Sequence, residues 1–313
     1  MPDSFATFWR RLWQRATPLD RLAFLYIFAF GLGVDAFGKP GHSRDLLIAA
    51  HAGLLIAIIL ILHFWHDRRT GVSGFIRLLY VPLLYTFFYS ETQVAVHWVF
   101  PDFFDAQLVA LERAVLGVVP NLWIIPWQTP LLNEWMMLGY FSYYLLVPIL
   151  GLTLFFRRRY VALNGFLTAS TVAFVISYIG FVVYPVEGPR YFLAAQFTEP
   201  LRGYVFVPLV RSIIDNAAIH GGCMPSSHVA VALVVLVWAY RTYRRLALVL
   251  TPLVVTLTFA TVWGRFHYVA DVVIGIVVGL IGLYVGARWT RDRAVSPVGD
   301  WEESPAESSV TRA

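Results

Sequence analysis

The chain has 313 residues, of which 58% are hydrophobic and 14% charged, with a formal net charge of +5. Soluble domains are about half apolar and about a quarter charged, so a soluble globule is excluded, and the single cysteine, Cys223, excludes an internal disulfide and any Cys-based zinc or iron–sulfur site. What remains is a polytopic membrane protein, whose basic residues mark short loops between apolar runs rather than a nucleic-acid surface.

Residues 4–16 place Phe5, Trp9, Leu12, Trp13 and Ala16 on one helical face and Arg10, Arg11 and Arg15 elsewhere. That pattern predicts a helix lying on the inner membrane surface. A cleaved signal peptide is not expected, since no short apolar core precedes a clear small-residue cleavage site. A crossing helix needs about 20 mostly apolar residues. Eight runs approach this: 21–38, 45–65, 75–99, 135–156, 162–184, 228–242, 246–263 and 268–288. Residues 103–118 carry Asp105, Glu112 and Arg113 in an apolar helical pattern and are expected to lie flat on the outer surface. The tail over 291–313, rich in Ser, Pro and Glu, is expected to be disordered. The expected organisation is a cytoplasmic amphipathic segment (1–20), two accessory transmembrane helices (21–74), a six-helix membrane core (75–290) and the tail. The fold class is all-α integral membrane.

With eight spans and the N-terminus inside, inner segments hold seventeen of the 24 Lys and Arg residues and outer segments hold seven. This asymmetry predicts both termini in the cytoplasm. The longest loop, 185–227, then lies outside, on the periplasmic, extracytoplasmic or lumenal side. It opens with Gly188-Pro189-Arg190 and closes with Pro225-Ser226-Ser227-His228. Pro-Ser-Ser before an apolar run signals a helix start with Ser226 as N-cap. Such a helix N-terminus suits an anion such as phosphate, and His228, in the first turn, is placed to donate a proton to it. The plain alternative is a helix cap beside an interfacial histidine.

The next outer turn contains Arg265, His267 and Asp271. Spaced four apart, His267 and Asp271 share a helix face, where the carboxylate orients the imidazole and stabilises its charged form. The alternative is a structural pair joining two helices. The topology brings Arg190, Ser226, Ser227, His228, Arg265, His267 and Asp271 to one interface. Together they supply a nucleophile, an orienting carboxylate, a second histidine, arginines and a helix N-terminus, the parts of metal-free phosphoryl transfer.

The ordered set Gly-Pro-Arg, Pro-Ser-Ser-His and His-Tyr-x-x-Asp resembles the three signature motifs of the type 2 phosphatidic acid phosphatase superfamily. The resemblance covers roughly residues 75–290. Four positions depart from the usual pattern: Val183 stands in place of a lysine, Tyr191 in place of the proline after Arg190, Ser227 in place of a glycine, and Thr261 in place of an arginine. In this it is similar to the inositol-phosphorylceramide synthase-like branch, and Arg190 is the stronger basic candidate. The resemblance implies a catalytic six-helix core in which His267 attacks phosphorus to form a phosphohistidine and Asp271 orients it. His228 protonates the leaving oxygen and later activates the acceptor. Arg190, Ser226, Ser227 and Arg265 bind phosphate oxygens. No metal or other cofactor is implied, and the expected partner is a lipid phosphate within the membrane lipids, not a nucleic acid.

Glu187, Glu91 and Gln93 are candidate contacts to an acceptor or head group; hydrogen bonds between helices are the alternative for Glu91 and Gln93, and positioning of Arg190 is the alternative for Glu187. The expected activity is that of a lipid phosphatase or phosphotransferase. Its alternatives are a strict hydrolase of phosphatidic acid or a polyprenyl diphosphate, a membrane haem protein using His51, His63, His66 or His97, and a non-catalytic scaffold.

Overall fold

The computed structural model describes residues 5–295, with side chains to residue 290. It is helical, and its only β pairing among the described residues is an isolated bridge between Val186 and Gly222. The helices are α1 (Phe5–Arg15), α2 (Pro18–Phe37), α3 (His42–Trp65), α4 (Gly71–Leu83), α5 (Tyr85–Glu91), α6 (Asp105–Leu116), α7 (Pro120–Trp123), α8 (Pro130–Phe156), α9 (Tyr160–Val183), α10 (Pro189–Phe192), α11 (Phe206–Ala217), α12 (Ser227–Thr242), α13 (Arg244–Trp263) and α14 (Val269–Val295).

Among the described residues, six helical segments are long and apolar enough to cross a membrane: α3, α4 continued through α5, α8, α9, α13 and α14. These correspond to six of the eight expected runs, and the count of eight is not confirmed. The run at 21–38 is helical as α2, but Asp20, Arg21 and Asp35 interrupt its apolar character. The run at 228–242 is α12, whose 16 residues span only ~24 Å at about 1.5 Å each. The segment expected flat on the surface is α6, which bends by 71° into the following turn over α7; counted as one broken span, this pair makes a seventh. α14 runs five residues into the expected tail, and residues 296–313 lie outside the described part.

Close packing fixes the ends of the helices. Along α14, Gly282 faces the Ala169 carbonyl and Gly286 faces that of Gly165 in α9, while Gly279 faces Ala230 in α12. Small residues let membrane helices approach backbone to backbone. At Gly275, beside the start of α12, an added methyl would stand 2.6 Å from the Ser226 carbonyl oxygen.

α2 is bound to this bundle through charge. Thr17 and Asp20 form a capping box at its start. The same Asp20 carboxylate accepts both terminal guanidinium nitrogens of Arg77 in α4, at 2.9 and 2.7 Å, and the Tyr80 hydroxyl at 2.9 Å. Every partner is buried.

Candidate active site

The site is built where α12 and α14 begin. The Ser226 amide donates to the Asp271 carbonyl at 3.0 Å, tying the two starts together. The Ser226 hydroxyl accepts from the Val229 amide as the N-cap, so it serves the helix itself. The amides of Ser227 and His228 belong to the open first turn, which no intrahelical carbonyl reaches.

His267 enters from the turn between α13 and α14. The amides of Phe266 and His267 both donate to the Thr261 carbonyl at 3.0 Å. Buried Asn121 donates to the carbonyls of Val262 and His267 at 3.0 and 3.1 Å. Thus held, His267 places Nδ1 3.4 Å from Asp271 Oδ2, with both side chains almost wholly buried. The ring centroids of His228 and His267 lie 5.6 Å apart at 61°. The two imidazoles therefore converge beside the open amides of α12.

The two rings have different partners. Asp271 Oδ2 also accepts the Tyr268 amide at 2.8 Å and the Cys223 thiol at 2.9 Å. His228 Nε2 instead meets the Tyr140 hydroxyl at 3.0 Å, while its Nδ1 is buried with no hydrogen-bond partner. Tyr140 stacks on the same ring, with centroids 5.0 Å apart. The ligand atoms of Cys223, His267 and Asp271 lie within 4.8 Å of one another, a spacing that a metal ion can bridge.

The arginines are engaged elsewhere. Arg190 pairs with Asp215 of α11 at 2.5 Å and lies over the Tyr191 ring. Arg265, at φ +65°, stacks on Phe197 at 4.1 Å and donates to Gln128 at 3.0 Å. Burial and neighbouring Arg211 lower its pKa from the ordinary arginine value. Glu187 pairs with His220 at 3.0 Å; burial raises its pKa, and His220 opposes that shift. Gln93 accepts the His220 amide at 2.7 Å. Glu91 is buried against His51 at 3.1 Å, so its observed contact joins α5 to α3.

Several residues that shape the site carried no motif. Asp105 accepts the amides of Glu187 and Gly188 at 2.8 Å and the Tyr268 hydroxyl at 2.9 Å. Glu112 accepts the Val269 and Ala270 amides, capping α14. The first and third motifs are thus joined through α6, by carboxylates whose helix had been expected to lie on the surface. Two acids seven apart in an apolar helix were the available signal. Cys223, expected only to pack, hydrogen-bonds Asp271.

A cavity of about 450 Å³ opens beside His228 and Ser227. Tyr85, Tyr89, Tyr140, Tyr143 and Tyr178 line the part near His228, and Leu79, Val147, Leu152 and Phe75 continue it between α4 and α8. Ile213 and Ile214 of α11 close one side. Glu134 holds the start of α11 by accepting the amides of Tyr204, Val205, Phe206 and Val207.

The sequence profile described as the PAP2 superfamily matches residues 106–285. A PA-phosphatase related-family protein of Dictyostelium discoideum is 28% identical over 113 residues, covering 35% of this chain and 20% of that protein. The match thus spans about a fifth of that relative's length. No solved structure matches.

Proposed function

Because the chain belongs to the PAP2 superfamily, we propose that it is a membrane-embedded lipid phosphatase or phosphotransferase working through a phosphohistidine. The observation that carries this reading is the convergence of His228 and His267, 5.6 Å apart, with Asp271 behind one ring.

The Nδ1 atom of His267 faces Asp271, which leaves Nε2 to attack phosphorus. A P–N bond forms as the bond from phosphorus to the lipid oxygen breaks. His228 gives its proton to that oxygen, and the lipid alcohol leaves. In the second half, an acceptor hydroxyl attacks the phosphohistidine, His228 takes its proton, and the P–N bond breaks. Backbone amides at the start of α12 stabilise the equatorial oxygens. Arg190 joins them by exchanging Asp215 for phosphate, since a guanidinium fits either group in the same two-pronged way. The apolar cavity touches His228 and not His267, which suits a lipid leaving group on the acid's side. The motif departures favour the inositol-phosphorylceramide synthase-like branch; with a lipid alcohol as acceptor the site is a phosphotransferase. With water as acceptor the same site is a hydrolase. The positive-inside asymmetry, which counts α2 and α12 among the spans, supports a site on the extracytoplasmic face.

The test uses purified protein in detergent with phosphatidic acid carrying a labelled phosphate, and phosphatidylinositol labelled likewise, with and without ceramide or diacylglycerol. Free phosphate from phosphatidic acid, or inositol phosphate from phosphatidylinositol, identifies hydrolysis; a new phospholipid identifies transfer. Quenched in alkali, His228→Ala is expected to retain label on the protein and to turn over about 10²–10⁴-fold more slowly. His267→Ala is expected to retain none. Label on His267→Ala, or no turnover of any lipid phosphate by the folded protein, would overturn the proposal.

A further inference from the structure

At the opposite ends of α4 and α8 from the histidines lies a second cavity, of about 500 Å³. Its walls are apolar: Val72, Phe75, Phe155 and Phe156. Its rim carries Arg69 and Arg158. The two loops that meet here, 66–70 and 157–159, hold five arginines against one carboxylate, Asp67. Arg159 is directed to the Thr242 carbonyl at 2.9 Å and so belongs to the far side of the loop.

Arg158 occupies an unusual backbone position. α8 ends with the Arg159 amide donating to the Leu154 carbonyl and the Arg158 amide donating to that of Phe155, both at 2.9 Å. This ending requires a left-handed residue, and Arg158 supplies it at φ +58°. Glycine is the usual choice, because any Cβ is strained there. The chain instead keeps an arginine at the mouth of an apolar slot.

An apolar slot under two guanidinium groups matches a ligand with an anionic head and a hydrocarbon chain. We propose that this cavity binds one anionic phospholipid from the leaflet at the arginine-rich end. Arg158 and Arg69 hold its phosphate, and one acyl chain lies along Phe75, Phe155 and Phe156. Basic pockets between membrane helices recognise anionic head groups in this way. The surplus of positive charge selects against a zwitterionic lipid, whose own cation meets the same arginines. Phe75 also lines the catalytic cavity, so the bound lipid shares a wall with it.

The experiment uses the full chain in a neutral detergent, with dioleoyl phosphatidylglycerol or dioleoyl phosphatidylcholine added. Native mass spectrometry counts bound lipid and thermal unfolding reports stability. Phosphatidylglycerol is expected to bind and raise the unfolding midpoint, and phosphatidylcholine to do neither. Arg158→Gly relieves the left-handed strain, so it is expected to be at least as stable as the natural protein without lipid. It should nevertheless carry one phosphatidylglycerol fewer, with affinity at this site reduced roughly tenfold. That difference is independent of any lipid held equally by both proteins in the catalytic cavity. Equal retention of the two lipids, or undiminished phosphatidylglycerol binding by Arg158→Gly, would overturn the proposal.

Discussion

Asp271 and Tyr140 give the two histidines different chemistry. A carboxylate only accepts, so it fixes which His267 nitrogen carries the proton. A hydroxyl both donates and accepts, so Tyr140 stays bonded to His228 Nε2 whether that ring is neutral or charged. Tyr140→Phe removes this partner and keeps the ring. It is expected to lower kcat roughly tenfold, the worth of about one hydrogen bond, with KM and the unfolding midpoint little changed. An unaltered kcat would remove Tyr140 from the reaction. Cys223 allows a pH argument outside the spans. Burial and the Asp271 charge push its thiol well above the ordinary cysteine range. The thiolate is the reactive form, so a raised pKa leaves less of it at any given pH. N-ethylmaleimide at pH 8 is expected to spare the folded protein and to add one mass increment after denaturation. Rapid labelling of the native state would contradict the buried position.

At the scale of elements, the site depends on how closely α12 and α14 approach. Gly275→Val would drive a side chain into the Ser226 carbonyl and separate Ser226 from Asp271. The expected result is lost turnover with helix content retained, measured by activity beside circular dichroism. Gly53 in α3 has open space where its Cβ would stand, so Gly53→Val is the control expected to keep activity. α2 is held by a buried ion pair rather than by apolar packing alone. Removing one partner leaves the other charge buried and uncompensated, at a cost of about 3–5 kcal/mol. Asp20→Ala is therefore expected to lower the unfolding midpoint markedly, although Asp20 lies far from the histidines in sequence. A midpoint equal to that of the natural protein would show that α2 does not need the pair.

Across the whole molecule, the histidines and the main arginine cluster occupy opposite ends of the bundle. This makes the orientation testable in intact cells or sealed vesicles. Glu199 and Arg157 are both exposed, one near each end. With Cys223 buried, a membrane-impermeant maleimide added outside is expected to label Glu199→Cys and not Arg157→Cys. The reverse pattern would invert the proposed topology.

The sequence by itself determined the apolar helices, the basic bias of alternate loops, and the motifs containing His228, His267 and Asp271. These features are local: hydropathy is read within one window, and an i, i+4 pair within one helical turn. Tertiary structure decided the partners of buried polar groups. Tyr140 meets His228 from 88 positions away, and Asp105 meets Tyr268 from 163. No periodicity encodes such pairings, because a buried donor is satisfied by whichever acceptor the packing delivers. For the same reason Arg190 rests on Asp215 and Glu91 on His51. Only the assembled bundle shows which groups are already engaged and which, such as Nδ1 of His228, remain open.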